Sequence, residues 1–488
     1  MRAQLRTLSL TLAITLPSCG PTELSSPGVN SGGAGLAVGG HHSGAGGHRP
    51  GGAGGAATAA GGRGGVSSGG SAAKSGATGG VSSPVGGRGG ASGGGSAKGG
   101  STASGGTTTG TGGGNSAGAG GGTDPGPGCT APTSYRNLFG ELLSKTDAEV
   151  DAKLAAAYEQ LFHGDSNQTV YYETGSDQAY ILDVNSNDVR SEGISYGMMI
   201  SVQLDKQDEY ERLWRWAKRY MEQSNGLFAW QVSPSGNVIS QFSAPDGEEY
   251  ISTALLFASK RWGDGADPFD YANQAQALLD AQIERGNFNR NNKLVTFGNS
   301  GTSAMHTDPS YMLPAFYEVW ACKDSTNEQF WRDAITAARA FFPKTCHQTT
   351  GLAPYLANFD GSNYNNSTFN SDAWRVVGNI MMDHNLFAAD PWQLTFAEKY
   401  AAFFESTNPF ADEFQLDGTI RHQNPMNASK GLVAQNAMVA FGLPAAEGTP
   451  FVQALWDMQI PEGQYRYYDG MLYMLALLHV SGRFHLWI

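Results

Sequence analysis

Asp208-Glu209-Tyr210-Glu211-Arg212-Leu213-Trp214-Arg215-Trp216-Ala217-Lys218-Arg219-Tyr220-Met221-Glu222-Gln223 sets Tyr210, Leu213, Trp214, Ala217 and Tyr220 three and four residues apart. That period lays one apolar stripe along an α-helix, whereas a half-buried strand would alternate. Residues 191–204, just upstream, also read as helix, so the two make a helical pair. Earlier still, Thr146 and Glu149 have the spacing of a capping box, and Val150, Leu154, Tyr158 and Leu161 follow at helical spacing. Further helices are predicted near 248–261, 268–284, 309–322, 327–343, 372–387, 391–407, 430–441, 449–457 and 467–481, twelve in all. Short Gly, Pro, Asp or Asn breaks separate them. Only 179–184 alternates well enough to predict a strand. Trp214, Trp216 and Trp331 are read as core.

Such a count with no strand–helix alternation excludes a TIM barrel and a doubly wound sheet. A helical solenoid would show a repeat at a fixed period of roughly 20–50 residues, and none is present. The expected fold is therefore all-α, with helical hairpins closed into a double-layered α/α barrel. Ligands of such a toroid lie where the inner helices begin.

The composition is split. Of 67 glycines, 44 fall in the first 128 residues, while all 52 aromatic residues lie from Tyr135 onward. The first 128 residues hold seven Lys/Arg and two Asp/Glu; the rest holds 24 and 42, a net of −18. A glycine-rich stretch without aromatics buries too little apolar surface to offset chain entropy. Residues 20–128 are thus expected to be a disordered Gly/Ser/Ala-rich linker, with a reach of roughly 50–60 Å. A G-x-S-x-G match at Gly65–Gly69 has no strand before it or helix after it, so it reads as composition alone. Residues 129–488 are the expected folded domain, monomeric, and their acidic balance argues against nucleic acid as a partner.

Arg2 and Arg6 precede the apolar run 8–16, then Pro17-Ser18-Cys19. Residues 1–19 read as a secretory signal, and Leu16-Pro17-Ser18-Cys19 looks like a bacterial lipobox with Cys19 as the lipidated residue. Proline at its second position leaves ordinary signal cleavage open. The expected location is the cell surface or outer membrane through a lipid anchor, or else secretion. Cys322–Cys346 is a candidate disulfide of an exported chain, with Cys129 then free or paired elsewhere; whether the two are bridged stays open.

Three acidic sites lie where loops become helices: Glu192 within Asp188-Val189-Arg190-Ser191-Glu192-Gly193-Ile194-Ser195-Tyr196-Gly197, Asp246 within Pro245-Asp246-Gly247-Glu248-Glu249-Tyr250, and Asp372 within Asn370-Ser371-Asp372-Ala373-Trp374-Arg375. Acids in first turns suit the helix dipole, so capping is the plain reading of each. Aromatic company favours more: Tyr196, Trp230, Tyr250, Tyr311, Trp374 and Tyr468 lie in or beside these junctions. Flat rings stack on the CH faces of sugars while carboxylates bind their hydroxyls. Gly193 and Gly197 would let a backbone or ligand approach closely.

In this order, the strings 191–199, 245–250 and 371–375 resemble glycoside hydrolase family 8. Asp308-Pro309-Ser310-Tyr311 and Arg466-Tyr467-Tyr468-Asp469-Gly470-Met471 share the resemblance. It covers about 135–488 and is strongest to xylan-active members, the reducing-end xylose-releasing exo-oligoxylanases. It implies an (α/α)6 barrel of six inner and six outer helices and an inverting mechanism on β-1,4-xylosidic bonds. On that resemblance Glu192 is the general acid, Asp372 the general base and Asp246 the carboxylate holding the sugar. Tyr311 helps to position the attacking water and Arg375 lies near the same subsite; Trp230 and Tyr468 are further candidate substrate contacts. A helix start favours a charged Glu192, so burial or a nearby carboxylate must keep its proton on.

In exo-acting members a late loop carries a histidine that blocks the cleft. The corresponding stretch, 421–430, does not align cleanly, with His422 nearby, so exo or endo action stays open. The alternatives are an endo-acting β-1,4-glucanase or chitosanase of the same family and an inert, tethered carbohydrate-binding module. A polysaccharide lyase would favour a basic cleft. No cofactor or metal is expected: His-Glu-x-x-His is absent, and the seven histidines beyond the linker are scattered.

Overall fold

A computed structural model describes residues 129–388, 390–407, 411–423 and 429–488. The signal at 1–19, Cys19, the linker at 20–128 and residues 424–428 of the late loop lie outside the described residues. A short helix α1 (Leu138–Leu143) leads to α2 (Asp147–His163). Thr146 and Glu149 cap α2 reciprocally, through Glu149 N–Thr146 Oγ1 (3.2 Å) and Thr146 N–Glu149 Oε2 (2.9 Å). Strands β1 (Tyr171–Thr174), β2 (Gln178–Asp183) and β3 (Asp188–Arg190) precede α3 (Ser191–Gln203) and α4 (Gln207–Tyr220). Next come β4 (Gln231–Val232), β5 (Val238–Ser240), α5 (Pro245–Trp262) and α6 (Tyr271–Glu284), then β6 (His306–Thr307), α7 (Pro314–Lys323) and α8 (Glu328–Thr345). The chain continues through β7 (Ala357–Asn358), α9 (Arg375–Phe387), α10 (Trp392–Glu405), β8 (Ala411–Phe414) and β9 (Ile420–Gln423). It ends with α11 (Lys430–Asn436), α12 (Ala445–Asp457) and α13 (Arg466–Val480).

Helices α3, α5, α7, α9, α11 and α13 touch in turn around a closed ring, α13 returning to α3. Each packs on an outer partner: α4, α6, α8, α10 and α12 follow their inner helices, and α2 packs on α13. This is an (α/α)6 barrel. Burial explains the two layers. Every residue of α3 except Glu192 is buried, as an inner helix walled on all sides requires. In α4 the buried set is Tyr210, Leu213, Trp214, Trp216 and Ala217, a single face. Trp214, Trp216 and Trp331 are core, each at most 1 % exposed.

Three expectations are corrected. Among the described residues there are nine strands, of which β2 was the predicted one. β1 to β5 form an antiparallel sheet in chain order, while β6–β7 and β8–β9 make two-stranded pieces. Segments of two to four residues are too short to display alternation. Second, the helix predicted over 309–322 is a 3-10 turn (Pro309–Tyr311) and then α7, since Pro314 disfavours a helical residue before it and opens a new helix. Third, Cys322 is bonded to Cys129, with a Cα–Cα distance of 5.2 Å, and Cys346 is a buried free thiol. Cys322 lies in the last turn of α7 and Cys346 just after α8, its antiparallel partner. The two thiols therefore stand at opposite ends of a helical hairpin, about 27 Å apart for an 18-residue helix.

Candidate active site

β3 runs directly into α3, so Arg190 is the last strand residue and Glu192 lies in the first helical turn. Arg190 is gripped by Asp183 (2.7 Å) and Asp188 (3.0 Å), and the Ser191 amide donates to the Trp230 carbonyl (3.0 Å). The small sheet thus sets the angle at which α3 begins. Asp246 is the second residue of α5. Gly247 brings α5 against α3: a Cβ there would stand 2.5 Å from Ser191 Oγ. Asp372 sits in a 3-10 turn (Ser371–Trp374), and Arg375 is the first residue of α9. Ser371, immediately before Asp372, has φ of 22°, a strained value for a residue with a side chain.

These residues meet on one guanidinium. Arg375 Nη1 contacts Asp246 Oδ2 (2.7 Å), Glu192 Oε2 (3.1 Å) and Tyr196 Oη (2.6 Å). Its Nη2 contacts Ser310 Oγ (2.9 Å) and Asp372 Oδ1 (3.4 Å). Two tyrosines at the start of α13 complete the shell. Tyr467 donates to Glu192 Oε1 (2.8 Å); Tyr468 donates to Asp372 Oδ1 (3.3 Å) and the Ser371 carbonyl (3.1 Å). The residues before the three acidic turns, Arg190, Ala244 and Asn370, make no side-chain cap bond, while Asp246 Oδ1 accepts the Gly247 amide (2.9 Å) within its own turn.

Burial raises Glu192 to about 7, with Asp246 and Asp372 adding to the rise while Arg375 and the Tyr467 hydrogen bond oppose it. Burial also raises Asp246, against the pull of Arg375. Burial disfavours the charge on Arg375, yet Tyr196, Tyr468, Asp372 and Asp246 around it hold the guanidinium protonated. The helix start that should keep Glu192 charged is outweighed by loss of solvent. A carboxylic acid that keeps its proton near neutrality, beside a second carboxylate on the same cation, can give a proton on one side and accept one on the other. Among the described residues no set of three or more His, Cys, Asp or Glu is arranged to hold a metal ion. Arg375 occupies the centre of the carboxylates.

Residues 177–482 match the family described as Glycosyl hydrolases family 8. The chain belongs to glycoside hydrolase family 8. This family 8 enzyme is 38 % identical over 376 residues to the reducing-end xylose-releasing exo-oligoxylanase Rex8A of Paenibacillus barcinonensis, covering 72 % of this chain and 97 % of that one. A crystal structure of a reducing end xylose-releasing exo-oligoxylanase superposes with a TM-score of 0.70 at 39 % identity, over 73 % of this chain and 97 % of the other. A GH8 xylobiose complex from Teredinibacter turnerae gives 0.70 and 39 %, over 73 % and 98 %.

Of the family 8 enzyme's candidate residues, Glu192, Asp246, Asp372, Arg375 and Tyr468 form one contact group. Tyr311 joins it through its ring, which stacks on Phe297 (6.0 Å between centroids) and lies 5.6 Å from the Arg375 guanidinium carbon. Trp230 is one layer out: its carbonyl holds Ser191, and its half-buried ring lies 5.7 Å from Arg190. His422 Nδ1 lies 2.6 Å from Asp412 Oδ1, on the β8–β9 hairpin whose Asp412 carbonyl accepts from Trp374 Nε1 (3.1 Å). Residue reading gave Tyr467, Ser310 and Asp308 no role. Their signal was adjacency, each sitting next to or near a named residue in a flagged string.

Proposed function

We propose that this family 8 enzyme hydrolyses β-1,4-xylosidic bonds in xylo-oligosaccharides or xylan with inversion, Glu192 acting as general acid and Asp372 as general base. The observation that carries the reading is the shared cation: Arg375 binds Glu192 through Nη1 and Asp372 through Nη2, so both carboxyls face one guanidinium. An inverting pair needs a gap of roughly 6.5–9.5 Å, room for a water. Glu192 gives its proton to the departing glycosidic oxygen. Water attacks the anomeric carbon from the opposite face and passes a proton to Asp372, which releases it to solvent as Glu192 is reprotonated. Asp246 binds hydroxyls of the sugar at the cleavage point, Tyr311 helps to position the water, and Tyr468 and Trp230 offer ring faces. Similarity to enzymes named for reducing-end xylose release favours exo action on short xylo-oligosaccharides.

Proton NMR of a fresh xylotriose digest tests the mechanism: the first product should carry inverted anomeric configuration, and retention overturns it. Xylotriose to xylohexaose labelled at the reducing end should release labelled xylose steadily, whereas mid-chain products mean endo action. From the amino-terminal sequence we further infer export, with Cys19 lipidated and residues 20–128 tethering the catalytic domain at 129–488 to the cell surface. Metabolic labelling with a radioactive fatty acid, lost in a Cys19→Ser variant, is the expected result.

A further inference from the structure

Arg375 binds three carboxyls, and two more buried ones, Glu249 and Asp308, lie within its electrostatic reach. Glu249 takes the Tyr317 hydroxyl (2.7 Å); Asp308 is fully buried between β6 and the 3-10 turn that carries Tyr311. Its Oδ1 accepts the Ser310 amide (2.8 Å) and so caps that turn. Its Oδ2 is buried without a hydrogen-bond partner among the described residues. Arg375 gives a nitrogen to each of Glu192, Asp246 and Asp372, and its remaining partners are Tyr196 and Ser310. A buried carboxylate with an unsatisfied oxygen and no cation bonded to it is costly, and the group becomes neutral instead. The ionisable groups facing Asp308 are Asp372, Arg375, Tyr311 and Tyr355.

We propose that Asp308 is a positioning residue working as a neutral carboxylic acid: Oδ1 fixes the Ser310–Tyr311 turn, and the uncharged Oδ2 spares Asp372 a second negative neighbour. The turn matters because Ser310 holds Arg375 by its hydroxyl (2.9 Å) and Asn379 by its carbonyl (2.7 Å), while Tyr311 stands beside the base. Were Asp308 ionised, two like charges would face each other in a buried site, a costly arrangement beside the base. Burial, with repulsion from Asp372, raises Asp308 well above the usual carboxylate range, in agreement.

The role rests on the hydrolytic reading, so the test has two arms. Asparagine mimics a protonated aspartic acid in shape and charge. Asp308→Asn should keep kcat on xylotriose within about threefold of the parent, while Asp308→Ala lowers kcat by about 10²-fold with KM little changed. An Asn variant as impaired as the Ala variant, or an Ala variant with unchanged kcat, overturns the role. The second arm needs no activity. A carboxyl raised in the folded state stabilises below its unfolded value and loses that contribution as pH rises through the folded one. The Tm of Asp308→Asn minus that of the parent should therefore climb with pH; a flat difference overturns the neutral state. An inactive parent in the first arm overturns the hydrolytic reading instead, and the second arm still decides the charge state.

Discussion

Glu192 shows how one residue's chemistry is set by surroundings that its neighbours in sequence do not reveal. A glutamate in a first turn should be acidic, but desolvation takes it to about 7 and Tyr467 partly restores the charged form. In the proposed role its deprotonation removes the proton donor, so kcat/KM should fall on the alkaline side of about pH 7. Tyr467→Phe removes a hydrogen bond to the carboxylate and should move that limb up by about one pH unit. A pH–rate profile checks both; an unmoved or lowered limb in the Phe variant contradicts the assignment. Glu192, Asp246 and Asp372 were legible as acids at helix starts. Tyr467 was not, because adjacent helical residues point in different directions and only the placement of α13 shows which of Tyr467 and Tyr468 meets the acid.

At the scale of elements, the helices were readable because period and caps are local properties. The capping box of α2 and the single buried face of α4 appear as expected. The small sheet was not readable, since strands of a few residues exist only through their partners, as Val189 does through Val232. Gly193 and Gly197 permit close approach, but by side chains of the protein. A Cβ on Gly193 would lie 2.7 Å from Tyr467 Cε2, and one on Gly197 2.8 Å from Ile181 Cγ1. Gly193→Ala should therefore wedge α13 away from α3, costing about 1–3 kcal/mol, and displace the Tyr467 hydroxyl from Glu192. Chemical denaturation should show the lost stability, and kcat should fall even at temperatures where the variant stays folded.

For the whole molecule, Cys129–Cys322 ties the start of the described chain to the far end of α7, across 193 residues. Cys129→Ser should cost about 2–5 kcal/mol of unfolding free energy while leaving kcat near the parent value, because α7 presents its opposite end to the site. Equal stability of the Ser variant and the parent under oxidising conditions would contradict this. Tyr135 belongs to the same closure, its hydroxyl accepting from the Leu486 amide (2.9 Å). The amino acid order alone decided where helices lie, that a glycine-rich segment without aromatics precedes a foldable one, and which acids open helices; all follow from local propensity and composition. The ring of inner helices, the pairing of Cys322 with Cys129 and the gathering of three carboxyls on Arg375 join residues up to hundreds of positions apart. Those contacts form because inner helices buried on every side can satisfy their surfaces only by closing on one another, and the closure brings their starts, with the acids on them, to a common axis.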